Sequence, residues 1–183
     1  MTIGERTYEH IALADPEGRW ELHRGRPREK PAMSWSHTDV IAELGFILRG
    51  QIDPAQFRVH IGGSRLRRSS ESYYIPDIAV VPTALGAPLR GRPDRAEILV
   101  DPLPLVVEVW SPSTGEYDVD SKFPEYQVRG DLEIWRLHPY ERTLIAWRRR
   151  ADGTYAEQRY DGGVVEVGSL PGVRVDLGSL FEE

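Results

Sequence analysis

The sequence contains no cysteine, and this absence excludes several kinds of site. A disulfide framework, a thiolate zinc site and a cysteine nucleophile all need that residue. Long apolar runs are also missing, because stretches such as Leu105-Val106-Val107 are far shorter than the ~20 residues of a bilayer span. The first residues, MTIGERTYEH, lack the basic and apolar regions of a signal peptide. We therefore expect a cytoplasmic protein with no membrane partner.

The composition is that of a folded protein. The chain of 183 residues is 40% hydrophobic with a formal net charge of −6, which is unlike a disordered chain. The length predicts a single domain over residues 1–183. Within it we expect an N-terminal helix and turn, a core, and a C-terminal hairpin and tail, over residues 1–18, 19–150 and 151–183.

The charge balance argues against a dedicated nucleic-acid coat protein, which is normally basic. Arginine is nevertheless concentrated in three segments, RGRPREK at 24–30, RLRR at 65–68 and RRR at 148–150. Such segments can contact phosphates, although most are solvated loops and strand ends.

The spacing of apolar residues predicts helices and strands in an α/β or α+β order. We expect Ser34 or Ser36 to cap the helix that begins at His37, and Asp120 or Ser121 to cap the helix that ends at Gly130. The predicted helices are Tyr8–Leu13, His37–Leu48 with Gly50 as its end, and Asp118–Gly130. The predicted single strands are Phe57–Ile61, Tyr73–Val81, Leu105–Trp110, Glu133–Leu137 and Thr143–Arg148. Two hairpins are predicted, Trp20–Leu22 with Pro27–Met33 and Tyr155–Tyr160 with Val164–Val167.

Asp77 and Glu108 are unusual because each lies within an apolar strand, in YYIPDIAVV and LVVEVW. A buried carboxylate normally protonates or finds a partner. If the two strands are neighbours, the two carboxylates repel each other unless a cation lies between them. Magnesium is the simplest such cation, since it uses one or two carboxylates plus waters. The alternative is that each acid pairs with an arginine or caps a backbone amide.

Lys122 lies in the helix that follows the Glu108 strand. Tyr126 at i+4 and Arg129 at i+7 share its helix face. A helix that returns onto the sheet would aim this face at the carboxyl end of the Glu108 strand. A lysine there can orient an attacking water or stabilise charge during phosphodiester cleavage, whereas most helix lysines are simply solvated.

These segments resemble the Uma2 family (DUF820), which belongs to the PD-(D/E)xK, or restriction-endonuclease-like, nuclease superfamily. The resemblance lies in IPDIAVV, LPLVVEVWSPST, and the D-x-x-x-K and Y-x-x-x-G-x-x-E-x-W spacings that follow. Upstream, WELHRGRPREKPAMSWSHTDVI is similar to the family's hairpin and Ser/Pro-x-x-His helix start. The resemblance covers roughly residues 18–150. It implies a central mixed β-sheet flanked by helices, with additional N-terminal and C-terminal hairpins.

The resemblance also implies a role for each residue of the site. Asp77 would be the motif aspartate and Glu108 the acidic residue of the (D/E)xK half-motif. Together with the Val109 backbone carbonyl, they would hold Mg²⁺ or Mn²⁺. Trp110 stands where that motif has its lysine, and Lys122 matches the helix position to which the lysine moves in similar sequences.

Other positions are implied as supporting or substrate-contacting. Glu21 and His37 match positions that the family pattern favours, and Tyr126 belongs to the Lys122 face. A histidine near a helix start is more often a cap or a surface residue. His138 departs from the family, which often has an aspartate before this proline, and we expect it to concern only a turn.

The leading hypothesis is a metal-dependent nuclease that hydrolyses DNA, with Asp77 and Glu108 on the cation and Lys122 positioning the nucleophile. The main alternative is a nucleic-acid- or protein-binding module without turnover, which the acidic charge and the displaced lysine favour. A metal-free two-carboxylate hydrolase acting on sugars is the third possibility.

A nuclease that cuts both strands of a duplex usually needs two active sites, so we expect a homodimer. Tyr155, Tyr160 and Val164 are either its interface or part of the core. The sequence shows no base-reading motif, and so it does not specify a target.

Overall fold

The structure, a computed structural model, describes residues 2–15, 17–113, 117 and 121–182. The helices are α1 (Glu5–Ala14), α2 (Trp35–Gln51), α3 (Thr83–Gly86), α4 (Phe123–Arg129) and α5 (Leu177–Leu180), with a 3-10 turn at Ala87–Leu89. The first strands are β1 (Trp20–His23), β2 (Arg26–Glu29), β3 (Phe57–Ile61), β4 (Arg65–Ser69), β5 (Ser72–Tyr74), β6 (Ile78–Pro82) and β7 (Ile98–Leu99). The later strands are β8 (Leu105–Val109), β9 (Glu133–His138), β10 (Thr143–Arg149), β11 (Tyr155–Tyr160), β12 (Val164–Glu166) and β13 (Arg174–Asp176).

The larger sheet has six strands in the order β11-β10-β9-β8-β6-β3. It is mixed, because β8 pairs parallel with β9 and antiparallel with β6. All of β8 is buried, as its apolar run predicts for a strand covered on both faces. Val107 packs with Leu44 of α2, whereas Val106 packs with Phe123 of α4. Alternation therefore places Glu108 on the α4 face of the sheet.

The smaller sheet has five strands in the order β2-β1-β5-β4-β7. Its first two strands confirm the predicted N-terminal hairpin, in which Trp20 pairs with Glu29. The second strand ends well before Met33, and its proline is tolerated because β2 is an edge strand. The basic segment 65–68 was not predicted as a strand, yet it forms β4 with Leu66 buried.

The predicted strand Tyr73–Val81 is wrong as a single element. The chain leaves the smaller sheet after Tyr74 and enters the larger sheet at Ile78. Pro76 has no N–H to donate to a ladder, so the pairing breaks at this point. Asp77 consequently lies at the junction between the two sheets.

The predicted C-terminal hairpin is also wrong in its pairing. β11 pairs with β10, and β12 pairs with β13 in a separate two-stranded sheet. Alternation of apolar residues predicts a strand but not the strand with which it pairs. The strand across the loop 161–163 is only one of the possible partners. Val165 and Val175 of the two-stranded sheet join the apolar core beneath α2.

The helix predictions differ from the structure mainly at their ends. The first helix is longer than predicted, and α2 continues through Gly50 to Gln51. Ser34 is the cap of α2, since its Oγ accepts a 3.4 Å hydrogen bond from the N–H of His37. In α4 the N-cap position is Lys122 rather than Ser121, and the predicted cap Asp120 lies outside the described residues. No helix in the described part of the chain is long and apolar enough to cross a membrane.

Candidate active site

The two carboxylates predicted to act together are adjacent across β6 and β8. Ile78 pairs with Val107 in an antiparallel register, which puts Asp77 opposite Glu108 at the next position. The Val109 N–H donates a 2.8 Å hydrogen bond to Asp77 Oδ2. Both side chains are buried, with 2% of Asp77 and 1% of Glu108 exposed. Charges this deep are stable only with partners that satisfy them.

Lys122 and Tyr126 reach Glu108 from α4, as their shared helix face predicts. Lys122 Nζ lies 3.0 Å from Glu108 Oε1, and the Tyr126 hydroxyl donates a 2.6 Å hydrogen bond to the same oxygen. The Lys122 ammonium is itself buried, with 1% of the side chain exposed. Two donors on one carboxylate oxygen stabilise the ionised form of Glu108.

Glu21 connects the smaller sheet to this cluster. Its Oε1 lies 2.8 Å from Lys122 Nζ and accepts a 2.8 Å hydrogen bond from the N–H of Ile75. Ile75 belongs to the segment that crosses between the sheets, so Glu21 fixes both the lysine and the backbone that leads to Asp77. This geometry suits a supporting residue, as predicted for Glu21.

A second lysine, Lys30, lies in the site, although the sequence shows it only as part of the basic segment 24–30 and predicts no role for it. Its Nζ lies 2.8 Å from Asp77 Oδ1 and 3.8 Å from Glu108 Oε2, and it donates a 2.9 Å hydrogen bond to the Ile75 carbonyl. Lys122 Nζ also donates to that carbonyl, at 3.4 Å. A signal was present in the sequence, since only two of the 23 basic residues are lysines and both are here.

His37 completes the contacts of Asp77. Its Nε2 lies 3.3 Å from Asp77 Oδ2, and only 3% of the residue is exposed. Burial by itself raises the pKa of Asp77, but the Lys30 ammonium and the His37 hydrogen bond hold that pKa well below its ordinary value. Asp77 is therefore a carboxylate at neutral pH, the form in which it can bind a cation.

Asp77 and Glu108 fit a divalent cation, because both supply carboxylate oxygens and both direct them toward one position. Asp77 and Glu108 already direct oxygens at a single positive group, the Lys30 ammonium. Among the described residues there is no group of three His, Cys, Asp or Glu side chains suited to a metal. A metal here would be held by the two carboxylates and by neutral oxygens, and magnesium sites of this kind keep several waters.

The sequence matches the family model of Uma2, described as "Putative restriction endonuclease", over residues 6–178. The chain belongs to the Uma2 family. A solved structure with a similar fold is "a putative nuclease belonging to DUF820 from Anabaena variabilis ATCC 29413". It is 18% identical with a TM-score of 0.73, and the match covers 88% of this chain and 89% of that chain. No curated protein matches this chain.

This Uma2 protein has the predicted fold, a central mixed sheet flanked by helices. Trp110, at the position of the usual motif lysine, stacks on His138 with ring centroids 4.3 Å apart. His138 lies at the end of β9, and its Nδ1 accepts a 3.0 Å hydrogen bond from the Glu141 N–H in the following turn. Its position at a turn agrees with the prediction.

Arg129 shares a helix with Lys122 but does not join the carboxylate cluster. Its guanidinium donates to Asp131 and to the backbone carbonyls of Leu99, Val100, Asp101 and Arg67. These contacts connect α4 to the β7 region and the β4 strand. Arg129 therefore positions the helix that carries Lys122.

The aromatic residues considered for a dimer interface mostly complete the core. The Tyr155 hydroxyl donates a 2.6 Å hydrogen bond to the Asp131 carbonyl, and its ring packs on the α4 side. Tyr160 packs against the core beneath α2, whereas Val164 is 57% exposed. The homodimer therefore remains a prediction, and Val164 is the most exposed of the three residues named for its interface.

Proposed function

We propose that this Uma2 protein is a metal-dependent phosphodiesterase that cleaves DNA, with Asp77, Glu108 and Lys122 as its catalytic residues. The observation that supports this most is the adjacency of the two buried carboxylates, which contact two lysine ammonium groups. The family's description and the DUF820 neighbour support a nuclease-like function in general.

In this proposal Asp77 and Glu108 hold Mg²⁺ or Mn²⁺, together with the Val109 carbonyl. Such a cation, when bound, polarises the phosphate and lowers the pKa of a coordinated water. Lys122 positions the water or stabilises the charge that develops on the phosphate. Its distance of 3.0 Å from Glu108 Oε1 keeps the ammonium beside the proposed cation position.

The remaining cluster residues position these three groups. Glu21 contacts Lys122 at 2.8 Å, and the Tyr126 hydroxyl contacts Glu108 at 2.6 Å. His37 orients Asp77 through Oδ2 and leaves Oδ1 facing the Lys30 ammonium. These are positioning residues, since their contacts are with catalytic side chains.

One observation favours a second candidate, a nucleic-acid-binding module without turnover. The Lys30 ammonium contacts both carboxylates and neutralises them without a metal. If it does so permanently, the cluster is a structural ion network. The metal-free sugar hydrolase has no comparable support, because it leaves both lysines without a chemical role.

The deciding experiment is cleavage of supercoiled and linear DNA in Mg²⁺ or Mn²⁺ by wild type, Glu108→Gln and Glu157→Gln. Glu157 is an exposed glutamate of β11 and serves as the matched control. We expect the Glu108 variant to lose about 100-fold or more of the rate, as when a group that stabilises the transition state is removed. The Glu157 variant should cleave at the wild-type rate. Cleavage that is equal in all three proteins, or that survives a chelator, would refute the proposal.

A further inference from the structure

The sheet face that carries Glu108 continues across three more strands. Glu108 pairs with Arg136 in the parallel β8–β9 ladder, Arg136 pairs with Ile145, and Ile145 pairs with Arg159. Directly paired residues project to the same face, so these four side chains form one row. Strands lie about 4.8 Å apart, so the row extends about 14 Å from the catalytic carboxylate.

A second row of aromatic residues lies beside the first, toward the carboxyl ends of β8 and β9. Trp110 shares the Glu108 face because it is two residues further along the chain. It stacks on His138, and the edge of Tyr140 approaches the Trp110 ring with centroids 5.9 Å apart. The Tyr140 hydroxyl donates a 3.1 Å hydrogen bond to Ser34 Oγ, at the cap of the helix that carries His37. The aromatic row thus borders the candidate active site.

Members of both rows border a cavity of about 390 Å³, whereas the buried Glu108 lies beside this cavity and does not line it. It is lined by Trp110, Arg136, His138, Glu141, Thr143, Ile145 and Arg159. Burial lowers the pKa of His138, Glu141 opposes this effect, and Arg136 and Arg159 lower the pKa further. Both guanidinium groups therefore act on the same ring. Positive charge and aromatic surface are combined at one place on an acidic protein.

We propose that this cavity is the binding track for a single, unpaired strand of nucleic acid that leads into the Glu108 site. The inference rests on the proposed function, because Arg136, which lines the cavity, pairs directly with the proposed catalytic residue Glu108. Guanidinium groups pair with phosphates, and aromatic rings stack on bases that are not held in a duplex. A duplex offers its phosphates but keeps its base faces covered, so it would use only half of this surface.

Three arginines from the basic segments at 65–68 and 148–150 are less suited to this task. Arg67 pairs with Glu5 at 3.1 Å, Arg68 with Glu125 at 2.9 Å, and Arg148 with the buried Glu133 at 3.0 Å. Within the described part of the chain, Arg159 forms its one ion pair with Glu141, at 3.2 Å, and both side chains are more than half exposed. An exposed pair of this kind is worth about 0–1 kcal/mol, so a phosphate can replace Glu141 at little cost.

The test measures binding rather than cleavage. A fluorescein-labelled oligothymidine of about 20 nucleotides, and a duplex of equal length, are titrated with protein in a chelator at several salt concentrations. The variants are Arg136→Gln, Arg159→Gln and Trp110→Leu, with Trp110→Phe retaining an aromatic ring. Arg92→Gln is the matched control, because Arg92 is exposed and lies in the connection before β7.

Arg136→Gln and Arg159→Gln should each weaken single-strand binding about 5- to 10-fold. Each should also reduce the slope of the logarithm of the binding constant against the logarithm of the salt concentration by about 0.7. Trp110→Leu should weaken it at least about 5-fold with an unchanged slope, whereas Trp110→Phe and Arg92→Gln should change it less than about 2-fold. Thermal unfolding checks that each variant is folded, and Arg159→Gln is safe in this respect because its side chain is 59% exposed.

Two outcomes would overturn the track. One is an equal loss of binding in Arg92→Gln and Arg159→Gln, and the other is duplex binding as tight as single-strand binding with no effect of Trp110→Leu. If track variants bind like wild type while Glu108→Gln still abolishes cleavage, the track is wrong and the proposed function stands. If wild type binds neither probe at low salt, the track is wrong, and cleavage in Mg²⁺ or Mn²⁺ decides the proposed function separately.

Discussion

Lys30 Nζ lies 2.8 Å from Asp77 Oδ1, at the position between two carboxylates where a divalent cation is proposed to bind. The lysine follows β2 in the connection to α2, and its own N–H is held by the Arg19 carbonyl at 2.9 Å. The backbone is thus anchored, whereas the long side chain has several rotatable bonds. An ammonium and a metal ion cannot share this position, so binding of one excludes the other.

Lys30→Met should therefore bind Mn²⁺ more tightly than wild type, by about 10-fold, because the competing ammonium is gone. The same change removes the ammonium group that contacts Asp77 Oδ1, although the Val109 N–H and His37 still contact Oδ2. It should lower the free energy of unfolding by about 3 kcal/mol in the absence of metal. Titration of free Mn²⁺ by electron paramagnetic resonance measures the first effect. Urea unfolding with and without Mn²⁺ measures the second, and Mn²⁺ should restore most of the loss. Equal or weaker Mn²⁺ binding in Lys30→Met would show that the ammonium does not compete.

Glu133 is expected to stabilise the C-terminal part of the fold without affecting the candidate site. Its carboxylate accepts hydrogen bonds from Trp135 Nε1 at 2.7 Å, Arg148 Nε at 3.0 Å and the Ser169 N–H at 2.9 Å. Glu133→Gln should lower the free energy of unfolding by about 3 kcal/mol, because it breaks a buried ion pair. Glu157→Gln is the control, since Glu157 also accepts from a tryptophan, Trp147 Nε1, but is exposed. Glu157→Gln should lower the free energy of unfolding, measured with urea, by less than about 1 kcal/mol. A similar loss of stability in the two variants would contradict the prediction.

Arg129→Lys should be destabilising although the charge is kept. The guanidinium spreads its donors over Asp131 and several backbone carbonyls, which a single ammonium cannot do. We expect a loss of about 2 kcal/mol in the free energy of unfolding, measured by urea denaturation. Arg92→Lys, at an exposed ion pair, should change it by less than about 0.5 kcal/mol. Equal stability of wild type and Arg129→Lys would show that the fork of donors is not required.

The Glu97 carboxylate should make stability depend on pH in the acid range. Burial raises the pKa of Glu97, but hydrogen bonds from His60 and Ser64 outweigh this and place it below the ordinary value of 4.5. Because the folded state has the lower pKa, the ionised Glu97 stabilises the fold fully at pH values above its ordinary pKa. This stabilisation is lost as the pH falls through the lowered pKa of the folded state. The thermal unfolding temperatures of wild type and Glu97→Gln should therefore differ most at neutral pH and converge as the pH falls below 4.5. A difference that grows in acid would contradict this sign.

Much of the site could be predicted from sequence because its residues have an unusual setting. Asp77 and Glu108 are charged residues in apolar strands, and Lys122 and Tyr126 share a helix face. Lys30 could not be assigned in this way, because neither periodicity nor a motif links the end of an edge strand to a carboxylate 47 residues later. Its contact arises from tertiary packing of the two sheets.

The fold was predictable to a similar extent and for similar reasons. The pattern of apolar residues located β3, β8, β9 and β10, with alternation in β3 and a continuous apolar run in β8. The apolar pattern did not predict which strands pair. β12, for example, pairs with β13 and not with β11. The pattern also failed at Pro76, where one apolar run serves two sheets.

Because Lys30 and Lys122 are the only two lysines of the sequence, every other strongly basic side chain is an arginine. Acylating and reductively methylating reagents attack amines and leave guanidinium groups intact, so the side chains they can label all belong to one cluster. The exposed fractions are 8% for Lys30 and 1% for Lys122, which should keep labelling slow in the folded protein. The mass added over time to the peptides that contain these two lysines would then report how often the carboxylate cluster becomes accessible, without an engineered probe.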